Sequence, residues 1–307
     1  MARDPTARAT GESPPSVRRL VEGATALLAE AGVASPRVDA TALAAHALGV
    51  ERVVLALLPE APPEGFQARY AALVERRRQR EPLQHIVGTT GFRHLTLRVA
   101  PGVFVPRPET ETVAQHAIDE AARVAATGVV PLVVDLCCGS GAVALSVADE
   151  VPGAHVVAVD LSADAVALTR RNSEETGLAL RVEPGDVRDP GLLADLAGTV
   201  DVVVANPPYI PPDQVPVDPE VRDHDPDLAL YGGGADGLEV PRAVIAAAAR
   251  LLRPGGLLVM EHAEVQAAAV RVMACADGAL VDAATITDLA GRPRALLARR
   301  ADAAARA

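Results

Sequence analysis

The sequence predicts an α/β fold in which a mostly parallel sheet follows a small helical region. From residue 131 onward, short apolar runs alternate with longer segments of helical periodicity, a pattern typical of βαβ units. Before residue 82 the apolar residues recur at helical spacing instead. With 307 residues, 50% of them hydrophobic, the chain is long enough for one large core and a smaller appended unit.

We therefore divide the chain into five segments. Residues 1–15 are polar and proline-rich and are predicted to be disordered, as is the tail at 301–307. Residues 16–82 form a predicted helical N-terminal domain. Residues 83–101 form a predicted β-hairpin linker, and residues 102–300 form the larger α/β domain.

The N-terminal domain is predicted to contain four helices, over residues 17–31, 36–49, 51–58 and 64–80. Ser16 is a candidate N-cap for the first helix, and Pro36 suits the first turn of the second. The basic run at 76–78 is interpreted as a solvated face near a helix C-terminus, where positive charge is favoured.

Beyond this domain, alternation of apolar and polar residues over 94–99 predicts the hairpin, which leads into a helix ending near residue 125. The segments that follow are predicted as strands at 132–136, 155–160, 200–205 and 256–261, and as helices at 143–149, 163–176 and 240–252. The runs at 280–287 and 294–299 predict an antiparallel pair at one sheet edge.

Composition disfavours several classes of protein. The net charge of −11 argues against a surface built to neutralise phosphates, so we expect no direct nucleic-acid binding. The three cysteines form no C-x-x-C and no zinc-ligand spacing, so no metal is predicted, and a reduced cytoplasmic setting is expected. We identify no signal peptide and no apolar membrane span of about 18 residues.

A glycine turn follows the first predicted strand of the sheet, and we use that name for residues 137–141. Ligands of open α/β sheets bind at the carboxyl ends of strands, where glycines let the backbone approach them closely. Asp160 ends the next strand and could accept hydrogen bonds from both hydroxyls of a ribose, although it could instead cap a helix. Asp186 follows a third strand, where it could bind an adenine amino group or be a solvated loop residue.

The turn lacks the G-x-G-x-x-G spacing that seats a pyrophosphate, which argues against a dehydrogenase. S-adenosyl-L-methionine carries no phosphate and needs only a close approach and an acceptor for its amino group, for which Asp135 is a candidate. Cys137 stands where a first glycine would be usual. The predicted cofactor-binding residues are Asp135, Cys137, Cys138, Gly139, Ser140, Gly141, Asp160, Asp186, Val187 and Asn206.

A fourth buried strand ends in Asn206, Pro207, Pro208 and Tyr209, the predicted catalytic residues. Two prolines remove two backbone donors and leave carbonyls that only accept. Asn206 and the Pro207 carbonyl could accept hydrogen bonds from a substrate NH₂, while Tyr209 stacks on the planar group. The alternative is a strand end followed by a rigid proline turn. The tetrapeptide therefore predicts methyl transfer from S-adenosylmethionine to a planar amide or amino nitrogen.

Several segments together resemble the HemK/PrmC family of protein N5-glutamine methyltransferases, and the resemblance spans most of the chain. They are residues 81–88, 105–111, 206–210, 232–238 and 254–262, with the glycine turn. The resemblance implies that the helical domain is joined by the hairpin to a Rossmann-like, seven-stranded class I methyltransferase domain. It also implies a substrate, the glutamine of the Gly-Gly-Gln tripeptide in class I peptide release factors.

By matched position, the resemblance places Gly139, Gly141, Asp160, Asp186 and Asn206 along the cofactor. Residues 206–209 would hold the glutamine. The entrance of the cleft would be shaped by Arg107, Pro108 and Glu111, which could equally be loop scaffolding.

Three alternatives stay open at the level of sequence. A ribosomal-protein glutamine methyltransferase would use the same chemistry on another protein. A DNA adenine or RNA guanine amino-methyltransferase would use the same tetrapeptide, but such enzymes usually need a basic channel or a target-recognition domain. A cofactor-binding pseudoenzyme would keep the fold without turnover, which Cys137 makes conceivable.

Overall fold

A computed structural model of the chain describes residues 15–50 and 61–302. It divides into two compact units, Met1–Val87 and Gly88–Ala307, which are described separately. The helix predicted at 51–58 lies outside the described residues, as do most of the segments predicted to be disordered. Among the described helices, none is both long and apolar enough to cross a membrane.

The first unit is helical, as predicted. Its described helices are α1 (Val17–Glu30), α2 (Pro36–Leu48), α3 (Phe66–Arg78) and α4 (Leu83–Val87). The Ser16 side chain caps α1 by accepting from the Arg19 nitrogen, and Gly49 ends α2 in the left-handed conformation. Phe66 and Tyr70 stack with ring centroids 5.3 Å apart in the core of this unit.

Two features of this unit differ from the prediction. The basic run is not wholly solvated, because Arg77 is buried and its Nε donates to Asp39 Oδ2 at 2.7 Å. Residues 83–87 form helix α4 instead of the first part of a hairpin. The carbonyl of Pro82 accepts from the Ile86 nitrogen at 3.1 Å, and Ile86 is buried in the helical core, so packing determines the structure here.

The second unit begins with the hairpin β1 (Thr89–Phe92) and β2 (Leu95–Arg98). Phe92 and Leu97 are buried in the core of this unit. Asn172 ties the hairpin to the rest of the unit, because its Oδ1 accepts from the Arg98 nitrogen at 2.8 Å.

A seven-stranded sheet forms the centre of this unit and confirms the predicted fold class. Its strands are β3 (Leu132–Leu136), β4 (His155–Asp160), β5 (Arg181–Pro184), β6 (Val200–Ala205), β7 (Leu252–Glu261), β8 (Leu280–Thr287) and β9 (Pro293–Arg300). The order is β5-β4-β3-β6-β7-β9-β8. Strand β9 is antiparallel to β8, as predicted, and it is also antiparallel to β7, which was not predicted. From β3 the chain adds β4 and β5 on one side and then crosses to add β6 and β7 on the other. Such a change in strand order places a ligand crevice at the carboxyl ends of β3, β4 and β6.

Helices cover both faces of the sheet. They are α5 (Thr110–Ala125), α6 (Ala142–Glu150), α7 (Ala163–Thr176), α8 (Pro219–His224), α9 (Asp227–Leu230), α10 (Glu239–Leu251) and α11 (Ala267–Cys275). Alternate residues of β6 enter opposite cores: Val202 packs with α5 and α6, and Val203 packs with α10 and α11. Strands buried on both faces explain the continuous apolar runs of the sequence.

Candidate active site

The loops that follow β3, β4, β5 and β6 surround a cleft of about 260 Å³ within the second unit. All the residues predicted to bind the cofactor line it except Gly141, which is the N-cap of α6. The cleft also includes all four predicted catalytic residues. The sheet topology accounts for this convergence, because the carboxyl ends of neighbouring parallel strands meet at one edge.

The glycine turn needs left-handed backbone at three of its five residues. Cys137, Gly139 and Gly141 have φ values of 63°, 57° and 80°. A Cβ added at Gly141 would lie 2.8 Å from Thr169 Cγ2 on α7, so glycine is required there for packing. A Cβ at Gly139 would meet no atom within 4 Å, which leaves open space beside the backbone of the turn. The turn therefore forms a cradle that a bound molecule can approach closely.

Asp160 connects the end of β4 to the glycine turn. Its Oδ2 accepts from the Gly139 nitrogen at 2.8 Å, and its Oδ1 accepts from the Ser162 nitrogen at 2.9 Å. Ser162, not Asp160, is the N-cap of α7. Burial raises the pKa of Asp160. Each carboxylate oxygen keeps a second lone pair with which it can accept from a ligand hydroxyl.

Asp135 lies beneath the turn, in β3, and is almost fully buried. Its Oδ2 accepts from the Ala144 nitrogen at 3.0 Å in the first turn of α6. Desolvation raises the pKa of this carboxyl to about 8. A cation beside it would favour the ionised form, so the site is electrostatically suited to an ammonium group.

Asp186 and Val187 line the cleft beyond β5. Arg188 Nη2 lies 2.8 Å from Asp186 Oδ2, and this hydrogen-bonded pair lowers the pKa of Asp186. Glu239 Oε1 lies 3.7 Å from Arg188 Nη1, so the arginine bridges two acidic groups at this end of the cleft.

The loop that carries Asn206 to Tyr209 is held by close backbone contacts. The nitrogens of Tyr209 and Ile210 both donate to the Leu230 carbonyl, at 3.2 and 2.8 Å. A Cβ at Gly232 would lie 2.7 Å from the Pro208 carbonyl oxygen, and one at Gly237 would lie 2.4 Å from the Tyr209 carbonyl oxygen. Both glycines are therefore required for the loop to lie where it does.

Two further residues contact this loop through their side chains. Asn206 Nδ2 donates to Thr110 Oγ1 at 3.3 Å, and Tyr209 OH donates to Glu261 Oε1 at 3.3 Å. Thr110 in turn donates to Glu261 Oε2 at 2.8 Å. Sequence reasoning assigned no role to Thr110 or Glu261, nor to Gly232 and Gly237. All four lie in segments that carry the family resemblance, and membership of these segments was the one signal in the sequence that could have identified them.

The residues predicted to shape the entrance take different positions. Arg107 pairs with buried Asp225 and lies over the Phe104 ring, 4.9 Å from its centroid, and Phe104 lines the cleft. Glu111 turns to the hairpin, where its Oε1 accepts from the Arg93 nitrogen at 3.0 Å. Pro108 is exposed.

The fold and the cleft together define a class I S-adenosylmethionine-dependent methyltransferase. The sequence profile of the PrmC N-terminal domain matches residues 19–88, and that of the methyltransferase small domain matches residues 99–218. The chain is 52% identical to a release factor glutamine methyltransferase of Streptomyces coelicolor, over 92% of this chain and 97% of the relative. It belongs to the release factor glutamine methyltransferase family, and it is an S-adenosylmethionine-dependent protein glutamine methyltransferase.

Two other similarities are informative. The chain is 42% identical to a 4-amino-L-phenylalanine/4-methylamino-L-phenylalanine methyltransferase of Streptomyces pristinaespiralis, over 86% of this chain and 89% of the relative. The crystal structure of the hMettl16 catalytic domain in complex with MAT2A 3'UTR hairpin 6 covers 78% of this chain and 82% of that one, with a TM-score of 0.51 and 13% identity. The latter likeness concerns the fold alone.

S-adenosylmethionine is the cofactor, and the residues present fit it. The open space beside Gly139 would let the chain of the cofactor approach the backbone closely. The carboxyls of Asp135 and Asp160 line the cleft and could supply acceptors for an ammonium group and for ribose hydroxyls. Apolar Leu161 and Val187 also line the cleft and could contact a purine ring.

Proposed function

We propose that the enzyme methylates the side-chain amide nitrogen of the glutamine in the Gly-Gly-Gln tripeptide of a class I peptide release factor. The observation that carries this proposal is the orientation of Asn206. Its amide nitrogen is engaged by Thr110, which leaves Oδ1 as an acceptor at the wall of the cofactor cleft. Such an acceptor can bind an N–H of a planar NH₂ group. The names of the relatives support glutamine as its bearer.

In this proposal, Asn206 Oδ1 and the Pro207 carbonyl accept the two N–H groups of the substrate amide. An amide nitrogen is a poor nucleophile because its lone pair is delocalised into the carbonyl. Holding both N–H groups fixes the nitrogen and directs the lone pair towards the cleft, which contributes through orientation. The bound cofactor supplies an electrophilic methyl group on its sulfonium sulfur.

Tyr209 and the prolines complete the substrate site. Tyr209 is half-buried, and its hydroxyl donates to Glu261, so the ring is held at one end and offers its face to the planar amide. Pro207 is buried, and neither proline carries a backbone N–H. The backbone of these two residues therefore offers the substrate amide only hydrogen-bond acceptors. Phe104 lines the cleft beneath the Arg107 guanidinium, and we propose that a peptide loop enters past these two side chains.

The test is intact-mass analysis of a class I release factor after incubation with the enzyme and S-adenosylmethionine. We expect a gain of one methyl group on the native factor and none on a variant with Gly-Gly-Ala in place of Gly-Gly-Gln. Asn206→Ala should lower kcat by about 100-fold or more, because the nitrogen loses its orientation, while largely sparing cofactor affinity. The matched control is Gln214→Ala, an exposed residue of the same connection, which should behave as wild type.

The same geometry serves other planar NH₂ groups, so the assay includes them as competing substrates. Duplex DNA, structured RNA and 4-amino-L-phenylalanine are incubated in parallel. Transfer to any of these and not to the release factor would refute the proposed substrate. Full activity of Asn206→Ala would refute the proposed reacting site.

A further inference from the structure

Glu261 occupies a central place beside the reacting loop. It is the last residue of β7, and only 2% of its surface is exposed. Both of its carboxylate oxygens accept hydrogen bonds, Oε2 from Thr110 Oγ1 at 2.8 Å and Oε1 from Tyr209 OH at 3.3 Å. One buried carboxylate thus connects two residues that line the cleft.

Thr110 passes this constraint on to Asn206. A hydroxyl has a single hydrogen, and Thr110 directs it to Glu261, so the side of its oxygen that faces Asn206 can only accept. The Asn206 amide must therefore turn its nitrogen to Thr110, and it does so at 3.3 Å. Oδ1, on the opposite side of the amide, is left as the acceptor.

We propose that Glu261 is a positioning residue for methyl transfer, setting the hydrogen-bond direction of Asn206 through Thr110 and holding the Tyr209 ring directly. This inference rests on the proposed function, because it assumes that Asn206 and Tyr209 hold the substrate amide. Glu261 itself does not line the cleft, so it acts on the substrate only through Thr110, Asn206 and Tyr209. Its role is to make Asn206 present its acceptor oxygen, and not its NH₂ group, to the substrate.

The ionisation of Glu261 should affect this arrangement. Burial raises the pKa of its carboxyl to about 7, Arg294 on β9 opposes the rise, and Glu109 beside α5 adds to it. When Glu261 is protonated, one oxygen becomes a donor and competes with the hydroxyl of Thr110 or Tyr209. The carboxylate form, which both hydroxyls require, predominates above about pH 7, so kcat should rise with pH through this value and fall below it.

The kinetic test measures kcat and KM of full-length variants against pH. Glu261→Gln should lower kcat at least tenfold, because an amide cannot accept from both hydroxyls, and it should flatten the pH dependence near neutrality. Thr110→Val should lose activity similarly, and Thr110→Ser should recover most of it. The matched control is Glu120→Gln, a buried carboxylate of α5 paired with Arg123 and Arg299, which should leave kcat and its pH profile unchanged.

A second readout does not depend on activity. The chain contains only two asparagines, Asn172 and Asn206, so ¹⁵N-asparagine labelling gives two side-chain NH₂ signals. Glu261→Gln and Thr110→Val should shift the Asn206 signal. The Asn172 signal, from a side chain bound to the Ser140 and Arg98 carbonyls, is the internal reference and should stay in place.

The two proposals fail in distinguishable ways. If the wild-type enzyme methylates the release factor but Glu261→Gln matches it in kcat and pH profile, the positioning role is overturned and the proposed function stands. If the wild-type enzyme transfers no methyl group to the release factor, the proposed function fails. In that case an unmoved Asn206 signal in Glu261→Gln and Thr110→Val would overturn the hydrogen-bond role as well.

Discussion

Cys137 shows how a single backbone angle accounts for a departure in the sequence. Its φ of 63° lies in the region that favours glycine, and the turn also needs positive φ at Gly139 and Gly141. For a residue with a Cβ this conformation costs about 1–2 kcal/mol. In the sequence, Cys137 stands where glycine would be usual. The structure gives the reason, because its positive φ is a conformation that glycine adopts more readily.

Cys137→Gly should therefore be more stable than Cys137→Ala by about 1 kcal/mol in urea unfolding. Both variants lose the same thiol, so the difference isolates the left-handed backbone. Cys275 is the control, because it is exposed and ends helix α11. The order should reverse there, with alanine the more stable. Equal stability of the two Cys137 variants would contradict the assigned backbone strain.

Asn206 and Asp160 illustrate what sequence reasoning reaches at the scale of residues. Their position at strand ends predicted that they would face one cleft, and they do. The partners of Asn206 in the reacting loop were not predicted. Thr110 and Glu261 are distant from this loop in the sequence, and only folding brings them to it. A hydrogen bond between side chains 151 residues apart leaves no local pattern in a sequence.

At the scale of elements, the buried pair of Asp39 on α2 and Arg77 on α3 is an ionic contact between those helices. Both side chains are nearly inaccessible, at 8% for Arg77 and 11% for Asp39. Removing one partner of a buried pair leaves the other charge uncompensated. The neighbouring Arg78 is half-exposed and pairs with exposed Glu75, an interaction of small net value.

Arg77→Ala should therefore lower the stability of α2 and α3 by about 3 kcal/mol, measured by hydrogen exchange of their amides in the full-length protein. Arg78→Ala should change it by about 0.5 kcal/mol or less. Adding Asp39→Asn to Arg77→Ala should recover part of the loss, since the uncompensated carboxylate is removed. Equal effects of the two single variants would show that burial of this pair contributes little.

Strong periodicity determined which elements could be predicted. Strands β3, β4 and β6 and helices α5 and α7 match their predicted bounds closely, because each is a continuous apolar run or a regular stripe. Helix α4 was included in the predicted hairpin linker, and the short helices α8 and α9 and helix α11 were not predicted. Segments of four to six residues carry less than two turns of pattern, so packing decides their conformation.

At the scale of the whole molecule, the net charge of −11 bears on substrate class. The fold is shared with the hMettl16 catalytic domain, whose structure holds an RNA hairpin, so the fold does not decide between nucleic acid and protein. Charge does discriminate, because binding to nucleic acid depends on neutralising phosphates with Lys and Arg.

We expect fluorescence anisotropy at 0.15 M salt to give a Kd weaker than about 100 μM for both duplex DNA and an RNA hairpin. The assay is repeated at lower salt, where a phosphate-driven interaction would strengthen steeply. Tight, salt-sensitive binding would contradict the argument from charge and revive the amino-methyltransferase alternative.

The residues that line the cleft and the carboxylate that anchors its reacting loop lie in different parts of the chain. The residues that line the cofactor cleft all lie before position 241, and every strand bearing a cofactor loop has been synthesised by residue 205. Glu261 comes later, on the strand that inserts between β6 and β9. Because domains generally fold as units, we expect the cofactor loops and the anchor for Asn206 and Tyr209 to form together, once β7 has joined the sheet. A chain that ended before residue 252 would therefore contain every residue that lines the cleft and lack the carboxylate that binds Thr110 and Tyr209.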